Sequence, residues 1–518
     1  MIRASRRRDA VDSDIVVVGA GHNALTCAAY LAAAGLAVTV LEALDAVGGN
    51  TRSEELTLPG WLHDSCSSAH VVIQSNPLLA DDELGLRSTY GLRYAISDPA
   101  AVIPVEGGDA LIIHPDVEDT AREFARHSAS DADALRRMIA EWDTTLKSAH
   151  ARYQAGLEPS PGPASARYDA LRARSAWDVV HETFSHPLIR RAMLWMSVAT
   201  IQPPQRPGTG ALPAAIMAGR LRFGWATPLG GSSALPTALV GFLEDHGGRV
   251  VTGAPVTRFL VEGGRCVGVE TATGERFAAH RAVVAGSHLA TVSGALDVDS
   301  PQLADAARRW RPGLSVFAVH FALGDHVRYR TRDGLAPAVA GGLGSPDGVA
   351  RQIRSALAGQ VEADDPWLLM VDSAVVDPTR APGVPFKFLT VAPMLLEGEP
   401  WSDEAGQRFA DALVDVARRH VAGLDDDNIL ATHVESPTTL ARRNPANIAG
   451  SCHGGEFEAD DGGAIPGWLD YRTDVAGLYL TGSTSHPGGS VSGRPGRNAA
   501  RVVLEDLGLR DERLWTRP

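Results

Sequence analysis

Cysteine is scarce. Four thiols, Cys27, Cys66, Cys266 and Cys452, are spread over 518 residues. They are too few and too scattered for a disulfide scaffold, and no C-x-x-C pair stands among them to make a redox dithiol or a zinc knuckle. That usage suits a reducing interior, so the expected location is cytoplasmic. Positive charge is also short: the formal net charge is −14, which disfavours nucleic acid, whose phosphates need a basic surface. Long apolar runs are missing too. No segment reads as crossing a bilayer, which leaves at most peripheral contact with a membrane surface. The leader MIRASRRRDAVDSD carries arginines with no apolar run behind them. Neither a Sec nor a Tat export signal is readable there, and the Arg triplet is expected to be a frayed, solvated terminus.

What is present is globular. Apolar residues make up 44% of the chain, and a chain of this length divides into two or more subdomains rather than one core. Residues 14 to 50 read DIVVVGAGHNALTCAAYLAAAGLAVTVLEALDAVGGN. Asp14 to Val18 is a continuous apolar strand of the buried parallel type. Ala24 to Ala34 is small and apolar throughout, as in a helix pressed against a sheet, and Gly35 ends it. LAVTVLE returns as a second strand.

The turn between strand and helix is Gly19-Ala20-Gly21-His22-Asn23-Ala24. Gly19 permits the tight turn, Gly21 lets the backbone approach a pyrophosphate, and Ala24 allows close helix–strand packing. The helix N-terminus offers free N–H groups to phosphates. Glu42, at the end of the second strand, is placed to accept from a ribose diol. His22, Asn23 and Ala43 complete this set of expected dinucleotide contacts. Gly48-Gly49-Asn50-Thr51 follows, a second glycine turn able to close over a pyrophosphate and a ribityl chain. A nicotinamide dinucleotide does not need that second cradle, whereas FAD does.

With these motifs the chain resembles the glutathione-reductase-like FAD superfamily, in the branch holding phytoene desaturases, carotenoid isomerases and flavin amine oxidases. The tail GLYLTGSTSHPGGSVSGRPGRNAA, residues 477–500, is similar to the desaturase side. The GAGHN and RNAA runs resemble the group described as pyridine nucleotide-disulfide oxidoreductase domain-containing protein 2 and its bacterial relatives. The resemblance implies that Gly482, Ser483, Gly488, Gly489, Ser490 and Val491 return to the flavin and its pyrophosphate, with His486 near the ring as an orienting or proton-shuttling group. It also implies a middle FAD segment with Gly230, Gly231 and Ser232, with Val256 holding the adenine and with Gly286 near the pyrophosphate. Trp225 is the candidate for the flavin's substrate face, set against a plain packing role.

The expected fold is α/β: a discontinuous glutathione-reductase-like FAD-binding Rossmann domain (13–102, 223–307 and 468–508) and a substrate domain of mixed sheet plus helices (103–222 and 308–467). In the latter, DADALRRMIAEWDTTLKSAHARY and AWDVVHETFSHPLIRRAMLWMSVATI read as amphipathic helices, and LSVFAVHFAL and FKFLTVAPML as strands. Met193, Trp195 and Met196 could line a tunnel, with core packing as the default. His181-Glu182 with His186 is spaced H-E-x-x-x-H, wrong for a zinc helix, so no metal site is assigned. Gly208 to Gly210 and Gly342 to Gly344 contain G-x-G without a strand-turn-helix frame, which argues against a second nucleotide domain.

The expected function is an FAD-dependent desaturase or dehydrogenase. It would take a hydride from an apolar, isoprenoid-like substrate onto flavin N5, with oxygen, a quinone or another external acceptor restoring the flavin. Two alternatives stay open. One is a flavin amine oxidase giving an imine and peroxide; the other is a non-redox isomerase or a flavoprotein that binds a partner. Substrate identity, acceptor and oligomeric state are not readable.

Overall fold

A computed structural model describes residues 11–456, 468, 470–509 and 515. Residues 1–10 of the arginine-rich leader and residues 457–467 of the second substrate segment lie outside the described residues. Two seven-stranded sheets organise the chain.

The first sheet is built on a parallel core. Its central strand, Val11–Val18, pairs with Arg276–Ala285 on one side and Val38–Leu41 on the other. Having parallel neighbours on both edges explains why Ile15, Val16 and Val17 are wholly buried and why the strand reads as an unbroken apolar run. Arg249–Val251 extends the sheet beyond Val38–Leu41, and Leu478–Leu480 pairs in parallel with the far end of Arg276–Ala285. The antiparallel hairpin Val256–Glu262 and Arg265–Thr271 completes it. The run RVVTGAPVTRFLVEG thus forms two strands rather than one. Proline cannot donate to a ladder, and the chain bends at Gly253-Ala254-Pro255, where Gly253 and Ala254 donate to the carbonyls of Leu44 and Glu42 at 2.8 Å each.

Helix His22–Ala33 follows the first strand and is buried along most of its length. Helices Ala234–Asp245 and Arg494–Asp506 pack against it in one core with Leu25, Leu31, Leu239 and Val503. An added Cβ at Gly496 would strike the Asn23 carbonyl oxygen, so only glycine lets the last helix approach this closely.

The second sheet runs in the order Ile429–Glu435, Ser315–Leu323, Val384–Ala392, Leu368–Asp372, Ala340–Leu343, Ala101–Ile103, Leu111–Ile113. Its pairs are antiparallel except for the contact of Ala340–Leu343 with Ala101–Ile103. Ala101–Ile103 thus sits in this sheet, across the expected boundary between residues 102 and 103. Helices Ala129–Glu141, Ala176–Thr183, Pro187–Val198 and Leu212–Phe223 wall it in. The run expected as one helix from 177 to 200 is broken at Phe184 to His186. Pro187 starts a new helix there, and the Asp131 carboxylate accepts from the backbone N–H groups of Ser185 and His186 at 2.9 and 2.7 Å. His181 and His186 therefore fall on opposite sides of a helix break. Met193, Trp195 and Met196 are core residues, and Trp195 donates through Nε1 to the Leu368 carbonyl at 3.0 Å. Gly342 belongs to the same contact: an added Cβ would strike the Trp195 ring. Among the described residues no helix is long and apolar enough to cross a membrane.

Candidate active site

The register of the first sheet creates the site. Val18 lies opposite Ala285, and Ala285 opposite Leu480, so three parallel strands from remote parts of the chain end at one level. Gly286 donates to the Val18 carbonyl and Thr481 to that of Ala285, both at 2.8 Å. The turns that follow therefore begin side by side, at the carboxyl ends of parallel strands, where α/β sheets bind ligands. Gly19 and Gly482 take left-handed φ values of +91° and +94°. A Cβ on Gly482 would lie 2.8 Å from the Gly286 oxygen, and one on Gly286 would lie 2.6 Å from the Ala24 Cβ. That last contact explains alanine in the third fingerprint position: its neighbour across the turn is glycine.

Above these turns is a cavity of about 410 Å³. Gly19, Gly21, His22, Asn23 and Ala24 line one side of it. Gly21 is the helix N-cap, in extended conformation and with no side chain to claim the first-turn N–H groups. The Asn23 Oδ1 is buried without a partner among the described residues. Glu42 and Ala43 line the cavity as well. The Glu42 carboxylate accepts from the Ala20 N–H at 2.6 Å and the Leu44 N–H at 3.0 Å, so it fixes the fingerprint turn while still facing the cavity. Gly49 and Asn50 line it; Gly48 and Thr51 stand behind them. Gly48 donates to the Ala20 carbonyl at 2.8 Å, and the Thr51 hydroxyl donates to the Gly48 carbonyl at 2.6 Å.

His22 joins the two ends of the chain. Its Nε2 lies 3.2 Å from the Ser490 carbonyl, an acceptor only, so that nitrogen carries the proton. Burial lowers its pKa to about 4 against the opposing pull of that carbonyl, and the ring is neutral at pH 7. Gly482, Ser483, Gly489, Ser490 and Val491 line the cavity, as do Val256 and Gly286. An uncapped helix start, a strand-end carboxylate and three glycine turns in mutual contact fit the pyrophosphate, ribose and ring of a flavin dinucleotide.

Some expected contacts lie elsewhere. Gly230, Gly231 and Ser232 do not line the cavity. Gly230 donates to Asp377 at 2.7 Å, and Ser232 donates through its N–H to Asp64 at 2.8 Å and through its hydroxyl to the Ser67 carbonyl at 2.7 Å. They hold up the segment Cys66 to Ala69, which does face the cavity. Gly488 is tied back to the Ser485 carbonyl at 2.8 Å. His486 is also outside the lining. Its ring is fully buried between Tyr153 and Trp468, with edge contacts at 4.8 and 4.9 Å, and burial lowers its pKa to about 4. Its Nε2 bonds the Tyr153 carbonyl. Those contacts turn the imidazole away from the cavity and into the helical wall.

Other residues were not anticipated as site groups. Asn444 and Asn447 line the cavity and grip Asn50, with Asn–Asn hydrogen bonds of 2.8 to 3.1 Å. The roof contains Ala199, Val316, Leu369, Leu389 and Arg220, beside the anticipated Trp225. Trp225 is 1% exposed and lies 6.4 Å from Trp195 in a stacked pair. The Arg220 guanidinium sits 4.0 Å from its ring centroid.

Two of the scattered thiols are neighbours in the fold. Cys66 and Cys452, from opposite halves of the chain, both line the cavity wall. The neighbouring Cys452 thiol holds the Cys66 pKa below the usual thiol range despite burial, helped by the Lys387 charge. Cys452 is pushed well above it by its interaction with Cys66 and by burial. Lys387 Nζ donates to the carbonyls of Asp64 and Cys66 at 3.1 and 2.7 Å, and His453 Nδ1 lies 3.1 Å from the Cys452 sulfur.

Known proteins agree with this architecture. A limonene dehydrogenase polypeptide of Castellaniella defragrans is 26% identical, over 98% of this chain and 96% of its own. Pyridine nucleotide-disulfide oxidoreductase domain-containing protein 2 of Mus musculus is 26% identical, over 95% of this chain and 94% of its own. A solved putrescine oxidase variant superposes with a TM-score of 0.62 at 16% identity, covering 97% of this chain and all of that one, and so shares the fold. Residues 25–355 match the family described as flavin containing amine oxidoreductase. The cradle, the extent of that match and the full-length relatives meet in one conclusion: the chain belongs to the flavin-containing amine oxidoreductases and is an FAD-dependent oxidoreductase.

Proposed function

We propose that the protein dehydrogenates an apolar, isoprenoid-like substrate held between the flavin and the roof. The observation that carries this reading is the cavity with a glycine floor and an apolar roof of Ala199, Val316, Leu369, Leu389 and Trp225. FAD, when bound, would supply the two-electron chemistry for oxidising a C–H bond. In this reading Gly19, Gly21 and the helix start hold the pyrophosphate, Glu42 the ribose, Val256 the adenosine end, and Asn50 with the 482–491 turn the ring end. The segments 13–102, 223–307 and 468–508 form the FAD-binding unit, apart from Ala101 and Val102 in the second sheet, with 103–222 and 308–467 as the substrate unit.

The chain's own residues position and exclude rather than react. Trp225 and the aliphatic roof keep water from the reacting carbon. His288 and His453 line the cavity, but burial lowers the pKa of each to about 4, so neither brings a proton at neutral pH. No described residue on this wall is set as a strong general base. The name limonene dehydrogenase, borne by a full-length relative, supports a terpene-like substrate. An ammonium substrate is disfavoured, because Arg220 already places a cation in the roof. Oxygen, a quinone or another external acceptor then removes the electrons. The protein is proposed to work in the cytoplasm, touching membranes peripherally to collect its substrate.

Anaerobic titration of the FAD-loaded protein tests this. Terpenes or polyenes should bleach the flavin absorbance, and amines should not. Bleaching by amines alone, with peroxide released in air, would replace the proposal with the amine-oxidase reading.

A further inference from the structure

Arg220 is a roof group whose chemistry an apolar substrate leaves unused. It stands in the last turn of helix Leu212–Phe223, 7% exposed, on the cavity wall. Its Nη1 makes a long 3.4 Å contact to the Gly224 carbonyl, and its Nε is buried with no partner among the described residues. Among those residues no carboxylate pairs with it, and the guanidinium rests instead on the Trp225 face at 4.0 Å. Two other buried arginines are answered by carboxylates: Arg380 bonds Asp64 and Asp377, and Arg497 bonds Glu83. A buried charge left unpaired is costly and is ordinarily paired or hydrogen-bonded. Burial lowers the Arg220 pKa to about 9, which still leaves it charged at neutral pH.

We infer that the substrate carries a carboxylate, which Arg220 binds in the roof, so that the enzyme selects an apolar acid over the matching hydrocarbon, alcohol or amine. A guanidinium presents paired N–H donors that match a planar carboxylate bidentately, and stacking on Trp225 fixes its plane. The apolar roof receives the tail. A phosphate head would ask for more cationic donors than this wall holds. Arg220 is thus a specificity-determining residue that contacts substrate without entering the electron transfer. The inference rests on reading the roof as the substrate side of the flavin.

Ligand binding to the FAD-loaded protein, followed by perturbation of the flavin spectrum, tests it without turnover. The probes are decanoate and cinnamate, with decanol, decylamine and decyl phosphate as comparisons. Wild type should prefer the carboxylates. Arg220→Gln should weaken decanoate about 30-fold, or about 2 kcal/mol, and leave decanol and FAD affinity unchanged. Arg220→Lys should recover part of the loss through charge alone; should the glutamine variant not fold, the lysine variant reads the same decanoate-to-decanol ratio. Wild type that binds no carboxylate, or prefers amine, alcohol or phosphate, overturns the inference. So does an Arg220→Gln protein that loses FAD or decanol as much as decanoate, which would mark a role in the fold or the cofactor. The two readings fail separately: carboxylate binding through Arg220 without any bleaching by unsaturable substrates would remove the dehydrogenase and keep the acid site.

Discussion

Cys66 and Cys452 show how a site can hide in a sequence. Each is a lone thiol in an unremarkable local context, and only the fold brings them together. With its thiol pKa held down by Cys452 and Lys387, Cys66 is the more acidic thiol of the pair. Cys27 is pushed up by burial, and Cys266 to about 11. Iodoacetamide at neutral pH should therefore label Cys66 of the FAD-free protein first, and FAD should slow the reaction because that thiol lines the cavity. Peptide mass mapping checks this, and equal labelling of all four thiols regardless of FAD would contradict it. The place of Glu42 on the cavity wall follows from a local signal, a strand-end acid after a glycine turn. His486 was misplaced because its setting depends on Tyr153 and Trp468, which the local sequence does not announce.

At the scale of elements, the first strand, turn and helix were readable because their contacts are short-range. The middle glycines were not. Their turn is shaped by Asp64 and Asp377, which lie far away in the chain, so a glycine pair that looked like a cofactor cradle is a brace for its neighbour. The strand pairing of the second sheet was equally hidden, since antiparallel order is set by long-range registration rather than by composition. Register also yields a prediction. Gly286→Val would drive methyl groups into Ala24 and the Val18 carbonyl, 2.6 and 3.0 Å from even a Cβ. Overpacking of this kind costs about 1–3 kcal/mol, and the separation of helix from strand should strip FAD. Gel filtration of the variant should give colourless protein with a lowered Tm; retained flavin and an unchanged Tm would speak against a close-packed turn.

The whole molecule carries an unusual load of buried neutral imidazoles. Burial lowers His70 and His150 to about 3 and His288 and His453 to about 4, while His22 and His320 are held near 4 against partners that pull upward. A histidine with a lowered folded pKa gives its full stability above the unfolded value of about 6.5 and loses it as pH falls toward the folded value. Asp64 and Glu435 add to this at lower pH. Burial raises both, but Arg380 and hydrogen bonds hold Asp64 at about 2, and the His320 bond with nearby charge holds Glu435 at about 2. Their contribution disappears between about pH 4 and pH 2. Tm should thus be flat above pH 6.5 and fall continuously below it. A Tm that stays level down to pH 4 would be inconsistent with this histidine load.

The three strand ends at Val18, Ala285 and Leu480 have a consequence for biosynthesis. A nascent chain still tethered to its ribosome holds two of the three turns about two hundred residues before the third is made. Flavin retention, in such a protein, would report synthesis past Leu480. Premature termination anywhere before the final strand leaves a product that quality control can tell apart by its empty grip.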